Sequence, residues 1–386
     1  MLSGRTLFDL SPNAVSEAIA RARARGEPTL DLTESNPTRA GIAYDETSIL
    51  RAIALRESLR YDPAPFGHLS ARTAVARELS QSGHAVDAAR IVLTAGTSEA
   101  YAFLFKLLLD PGDEVLVPRP SYPLLDHLAQ LESVRPVPYR LVYDGAWHVD
   151  FHSVRSAISP RTRALVVVHP NNPTGSRLTR DELDHLAALR LPIVSDEVFA
   201  PYSVRDGGAR PISALEATGA RLIFSLGGLS KMAALPQMKL AWIALAGEED
   251  LVAAALARLE VIADAFLSVG TPVQHAAAAL LASRSTAESA IVRRTRANLA
   301  HLSTAASGSP VSVLNVEAGW SAILRLPRTR SDESWAIAFV EQDGVVVHPG
   351  HFFDFEEEAF VVVSLLTPEA TLKEGVRRIV ERVALS

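Results

Sequence analysis

Ser225-Leu226-Gly227-Gly228-Leu229-Ser230-Lys231-Met232-Ala233-Ala234-Leu235-Pro236-Gln237-Met238-Lys239 follows directly on the apolar run Leu222-Ile223-Phe224. The apolar run reads as a buried strand, and Lys231 comes just after its end. A lysine placed there is costly as a cation and tends to lose its proton. A neutral buried lysine is a nucleophile toward carbonyls, which points to Schiff-base chemistry. A Ser-Lys pair in isolation is more often an ordinary loop. The surrounding chain decides between the two.

The same pattern recurs on either side. Ile91-Val92-Leu93-Thr94 reads as a strand and runs into Ala95-Gly96-Thr97-Ser98-Glu99, then an apolar helix from Ala100 to Leu109. A strand, a Gly-Thr-Ser turn and a helix point free backbone N–H groups and a positive dipole end at an anion. The strand Glu114–Val117 ends at Pro118-Arg119-Pro120-Ser121-Tyr122-Pro123. Arg163–Val168 is nearly all apolar, as a central parallel strand should be, and ends in His169-Pro170-Asn171-Asn172-Pro173-Thr174-Gly175. Leu191–Ser195 leads to Asp196-Glu197-Val198-Phe199, and Ala241–Leu245 reads as a further strand. Strands alternating with helices predict an α/β domain with a mostly parallel sheet. Ligands on such sheets bind at the carboxyl ends of the strands, and the Gly-Thr-Ser, Pro-Ser-Tyr, Asn-Asn-Pro, Asp-Glu and Ser-Lys clusters each lie at one.

The flanks differ. A helix is expected between Ser11 and Gly26, then a strand that breaks into a turn over Leu30–Thr38. A long Ala-rich helical region covers 248–306. Strands at 311–313, 321–326, 345–347 and 360–366, with helices at 333–341 and 368–383, make a smaller α+β domain. The expected division is a large domain over 46–270 and a small one formed by 1–45 and 271–386.

The 386 residues are too many for one compact core. Hydrophobic residues make up 48% and charged residues 21%, ordinary for a globular enzyme. A net charge of −6 argues against nucleic-acid binding, and Arg21 to Arg25 reads as a solvated helix face. No cysteine means no disulfide and no thiolate ligand or nucleophile. Neither a signal-peptide core nor an uncharged apolar run of about 18 residues is present, so a cytoplasmic enzyme without membrane contact is expected.

An anion-binding turn, the carboxylate of Asp196, the ring of Tyr122, the amide of Asn172 and Lys231 answer, in turn, the phosphate, ring nitrogen, flat ring, phenolic oxygen and aldehyde of pyridoxal 5′-phosphate. No cluster at ligand spacing accompanies Asp196, so no metal is expected. The chain resembles the class I/II aminotransferases of the fold-type I pyridoxal-phosphate enzymes. The resemblance covers essentially its whole length. Its markers come in order: Tyr61 with Gly67 and Arg72, Gly96-Thr97-Ser98, Pro120-Ser121-Tyr122, Asn171 to Gly175, Ser195-Asp196-Glu197, Ser230-Lys231, and Val347-His348-Pro349-Gly350.

The resemblance implies roles. Lys231 would carry the cofactor as a Schiff base and shuttle the proton. Asp196 would pair with the pyridine nitrogen, Asn172 would bond the phenolic oxygen, and Tyr122 would stack on the ring. Gly96, Thr97 and Ser98, with Ser230 and Lys239, would hold the phosphate. Tyr61 would reach the phosphate of a neighbouring subunit, implying a homodimer with shared sites. The implied reaction moves an amino group between an amino acid or related amine and an oxo acid. A lyase, cyclase or decarboxylase on the same scaffold is the alternative, and a non-catalytic pyridoxal-phosphate-binding protein is a third reading. Three departures stand out. Phe199 occupies the place of a tyrosine, Lys239 that of the phosphate arginine, and Val362 that of the arginine that binds the substrate carboxylate. Arg5, Arg39 and Arg210 are loop candidates for that last role, and Trp320 and His351 are candidate pocket walls.

Overall fold

The computed structural model describes residues 2–204 and 212–385. The chain's first strand, β1 (Leu30–Asp31), stands apart from the main sheet. That sheet is built from β2 (Ile91–Thr94), β3 (Glu114–Arg119), β4 (Arg135–Tyr143), β5 (Trp147–Val149), β6 (Thr162–Val168), β7 (Ile193–Asp196), β8 (Leu222–Gly228) and β9 (Ala241–Gly247). Their order is β2-β9-β8-β7-β6-β3-β4-β5. Strands β4, β3, β6, β7 and β8 run parallel to one another; β9 is antiparallel to β2 and β8, and β5 to β4. The architecture is α/β with a mostly parallel central sheet, as expected.

Sequence reading missed β4 and β5. Arg135-Pro136-Val137-Pro138 carries two prolines and mixes charge with apolar residues, and the strand is only intermittently buried. Proline lacks the donor a central ladder needs, so such a stretch reads as loop. It is tolerated here because these strands lie near the sheet's margin, where alternate residues face water.

Helices cover both faces. On one, Phe103, Leu104 and Phe105 pack with Phe224, Leu226, Ile243 and Leu259. On the other, Leu116, Leu165, Val167 and Ile223 meet Leu183 and Leu186. The helix of Leu183 starts at a capping box between Thr179 and Glu182, which satisfies two N–H groups at its start. The Ala-rich region is three helices, Glu249–Asp264, Thr271–Ala282 and Arg284–Ala306. Val273, Ala276 and Leu280 of the second pack on Leu229, Met232 and Trp242, beside the lysine stretch.

The C-terminal part adds a four-stranded sheet. Its members are β10 (Ser312–Val313), β11 (Ser321–Arg325), β13 (His348–Pro349) and β14 (Phe360–Ser364), in the order β10-β11-β14-β13, while β12 (Val345–Val346) pairs with β1. One face buries Leu324, Val361 and Val363 against Trp335, Phe339, Leu372 and Ile379. The other carries Ile323, Phe360 and Val362 against Trp147 of the large sheet.

Candidate active site

The two glycines before Lys231 belong to β8 itself. A Cβ at Gly227 would lie 2.6 Å from the Trp242 ring, and one at Gly228 2.9 Å from the Ala241 Cβ. Glycine lets β9 approach closely enough to bury Trp242 completely, and that contact fixes where the strand ends. The chain then turns into the short helix Leu229–Met232, which carries Ser230 and Lys231. The Tyr202 hydroxyl donates to the Lys231 carbonyl at 2.5 Å and pins that turn.

Lys231 Nζ lies 5.3 Å from the Trp320 ring centre and 5.9 Å from that of Phe199. Trp320 stacks edge-on to both Phe199, at 5.3 Å, and Tyr202, at 5.0 Å. Removal from water lowers the Lys231 pKa, and the charge of Asp196 acts in the opposite sense. Burial wins, so the amine is easier to deprotonate than a surface lysine.

Asp196 ends β7, beside β8. Burial raises its pKa to about 6, against hydrogen bonds from the Val198 N–H, at 3.2 Å, and the Tyr101 hydroxyl, at 3.3 Å. Tyr101 was not foreseen from sequence. It sits in an otherwise apolar helix, fully enclosed, and its only signal was a polar tip on a core-facing position. Its hydroxyl supports the ionised form of Asp196. Tyr101→Phe is therefore expected to cost about 1 kcal/mol in the cofactor-free protein at pH 8. The loss should shrink at pH 5, below the Asp196 pKa. Denaturant unfolding at both pH values checks this, and an equal loss at both would refute it.

The helix Thr97–Leu108 begins at Gly96 with no side-chain cap. A Cβ on Gly96 would come within 3.4 Å of Lys239 Nζ. The uncapped N–H groups at the helix start thus lie close to the Lys239 ammonium, with Thr97 and Ser98 in the same first turn, an arrangement suited to an anion. Asn172 Oδ1 accepts from the Ser321 hydroxyl at 3.2 Å, which orients the amide and leaves Nδ2 free to donate. Tyr122 is 46% exposed, in the turn after β3 and near enough to Asp196 to feel its charge. Tyr61 is 76% exposed, in a surface hollow lined also by Gly67 and Gln274. The residues present fit the phosphate, ring and aldehyde of pyridoxal phosphate.

A link between the two sheets meets this site at Tyr122. Arg119 Nε bonds Asp354 at 2.9 Å and its other arm reaches Asp126, while the Ser121 N–H donates to the Phe353 carbonyl at 3.0 Å. Of the carboxylate candidates, Arg5 bonds Ser3, Arg39 is exposed in the loop before Ala40, and Arg210 lies outside the described residues. His351 is turned to Asp332, with its N–H at 2.7 Å and its ring at 3.1 Å. Val362 is buried among Phe353, Phe360 and Trp147. Among the described residues no group of three or more His, Asp or Glu side chains could hold a metal, and no helix is long and apolar enough to cross a membrane.

A desolvated lysine, a buried carboxylate and an anion turn at the strand ends of such a sheet define the class of the fold-type I pyridoxal-phosphate enzymes. Within it, the chain belongs to the family "Aminotransferase class I and II", whose profile matches residues 30–379. An alanine aminotransferase of Mycobacterium tuberculosis is 32% identical over 270 residues, 68% of this chain and 62% of that protein. The match thus spans less than two thirds of that relative's length. The glutamate-pyruvate aminotransferase AlaA of Escherichia coli is 28% identical over 274 residues, 70% of this chain and 67% of its own. An alanine aminotransferase structure from Pyrococcus furiosus superposes over 100% of both chains with a TM-score of 0.89 at 22% identity, a likeness of fold. Pyridoxal 5′-phosphate is the cofactor of this family.

Proposed function

We propose that the protein is a pyridoxal-phosphate-dependent aminotransferase that moves an amino group between an amino acid, or a related amine, and an oxo acid. The observation that carries this is the pairing of a proton-poor Lys231 with the buried Asp196 at the ends of adjacent strands. Pyridoxal phosphate, when bound, supplies an electrophilic carbonyl and an electron-withdrawing ring. Lys231 Nζ, low in basicity, would take the proton from the substrate α-carbon and deliver it to the former aldehyde carbon of the cofactor. Asp196 offers a carboxylate oxygen to the ring N–H, a charge-assisted bond in a water-poor place. Asn172 donates from Nδ2, Tyr122 covers the ring, and Gly96, Thr97, Ser98, Ser230 and Lys239 hold the phosphate. Lys239 keeps the charge of an arginine but makes a point contact in place of a fork.

We place the enzyme in the cytoplasm as a homodimer. The outward-facing Tyr61 is the reason: it suits the phosphate of a second copy better than that of its own chain. The large domain over 46–270 and the small one over 1–45 and 271–386 follow the same reading. A panel of amino donors tests the activity, with conversion of the cofactor's absorbance to the amino form as the signal. Release of ammonia or pyruvate without that conversion would instead mark an eliminating lyase.

Phe199 places a hydrocarbon ring where a hydroxyl would serve the phenolic oxygen. The lysine-linked cofactor should therefore be more basic than with a tyrosine there. In Phe199→Tyr the pH midpoint of its absorbance is expected to fall. A midpoint that stays or rises would rule this out.

A further inference from the structure

The small sheet carries, on its face toward the large sheet, one row of residues that the reaction scheme leaves unused. Strand β13 pairs antiparallel with β14 and sets His348 opposite Val362; Val362 is opposite Ile323 of β11. Directly opposed residues share a face. Val362 and Ile323 pack with Trp147 and Phe353, so this face looks toward the large sheet. Ser321 lies two residues before Ile323 on the same face, and its hydroxyl holds Asn172. The row therefore begins at Ile323, roughly 7 Å along β11 from Ser321, and reaches His348 two strands across, roughly 10 Å further.

Two members of the row are aliphatic and buried. The third is an imidazole, half-buried, with its ring centre 5.9 Å from that of Phe353 and 6.0 Å from that of Phe352. No hydrogen bond engages the His348 ring among the described residues. Burial lowers its pKa, although the nearby charge of Asp31 opposes this, so near neutral pH the ring is uncharged with one N–H to donate. A half-buried ring donor with no hydrogen bond among the described residues, directly opposite Val362 in an otherwise apolar row, is free to take an anionic or polar guest.

We propose that His348 is a specificity residue that binds the carboxylate of the amino-acid donor through a single ring N–H, the role an arginine on β14 would otherwise fill. The proposal rests on the aminotransferase reading. A single neutral donor grips a carboxylate less firmly than a guanidinium fork and rejects its absence less sharply. The substrate class is then broad: amino acids, and also amines without a carboxylate, at a moderate disadvantage. Arg325 lies one row further out, opposite Phe360, and is exposed. A carboxylate held there would have to reach across Ile323 and Val362.

The test uses the cofactor-loaded protein and two readouts. Calorimetry with 3-phenylpropanoate, an inert carboxylate, reads binding without turnover. The fastest amino acid of the donor panel and its decarboxylated amine read KM and kcat. A panel in which no amino acid reacts overturns the aminotransferase reading, whereas calorimetry judges His348 in either case. His348→Ala should weaken 3-phenylpropanoate about tenfold or more. It should raise the amino acid's KM by a similar factor, with kcat within about threefold and the amine unaffected. His348→Asn, which keeps a donor, should lie between. Adding Val362→Arg to His348→Ala should restore binding, which a merely structural histidine would not allow. Unchanged binding in His348→Ala overturns the proposal. So does no binding to the unsubstituted protein, an equal loss for acid and amine, or a loss on Arg325→Ala instead.

Discussion

Lys231→Ala is expected to remove the absorbance of the lysine-linked cofactor and to slow amino transfer by at least about 10⁴-fold, the upper range for one positioned acid–base group. The size of the effect comes from two roles falling on one nitrogen. In the proposed reaction Lys231 Nζ would anchor the cofactor and also carry the proton, and removing it takes away both at once. Phe199 and Trp320 flank it with carbon, and Tyr202 serves the backbone carbonyl, not the amine. The fold should survive, because β8 is fixed by Trp242 against its glycines and not by the lysine side chain. Lys231→Arg should fail as fully, since a guanidinium keeps its proton. Single-turnover kinetics with the best donor measures the loss; a residual rate within about 100-fold of the original would show that another base carries the proton.

Asp196→Asn is expected to split two properties that usually move together. In the cofactor-free protein the carboxylate is a burden, because its pKa rises from 3.8 to about 6 on folding. A raised folded-state pKa means that stability is full below the unfolded value and is lost as pH rises through the folded one. Two pKa units correspond to up to about 3 kcal/mol, moderated by the partial access Asp196 keeps from the cleft. Asn cannot titrate. The variant should therefore gain stability over the parent between about pH 4 and 6 and hold that gain at pH 8. In the loaded protein the sign reverses, since the ring N–H loses its charged partner. Breaking such a buried pair costs about 3–5 kcal/mol, so the cofactor should dissociate at least 100-fold more readily. Unfolding curves of cofactor-free protein across pH, with equilibrium dialysis of cofactor, test both halves. A variant less stable than the parent at pH 8 would contradict the first.

The sheet and its polar strand ends were legible because each apolar run finishes at a residue type that cannot be explained by burial. Lys231, Asp196 and Asn172 each come shortly after a run of three to five apolar residues, and only carboxyl ends bring such residues together. The supporting contacts were not legible. Tyr101 meets Asp196 across 95 positions and Ser321 meets Asn172 across 149, and no local pattern encodes either. Strand β4, next to the sheet's edge, hid behind its prolines. The Ala-rich region read as one helical stretch because alanine favours helix throughout; Leu267, at a φ of 46°, shows where the backbone departs from it. His348 passed as part of a Pro-Gly marker until the pairing of β13 with β14 showed what stands opposite it.

The link from Arg119 and Ser121 to Asp354 and Phe353 has a consequence for motion. Tyr122 directly follows Ser121 and lies three residues after Arg119, both tied to the C-terminal part, so its backbone is held to that part of the chain. Any shift of that sheet is therefore transmitted through Arg119 and Ser121 to the backbone at Tyr122. Half of that tie is an ion pair whose Asp354 end is open to solvent, so added salt should loosen the coupling while leaving the backbone bond of Ser121 in place.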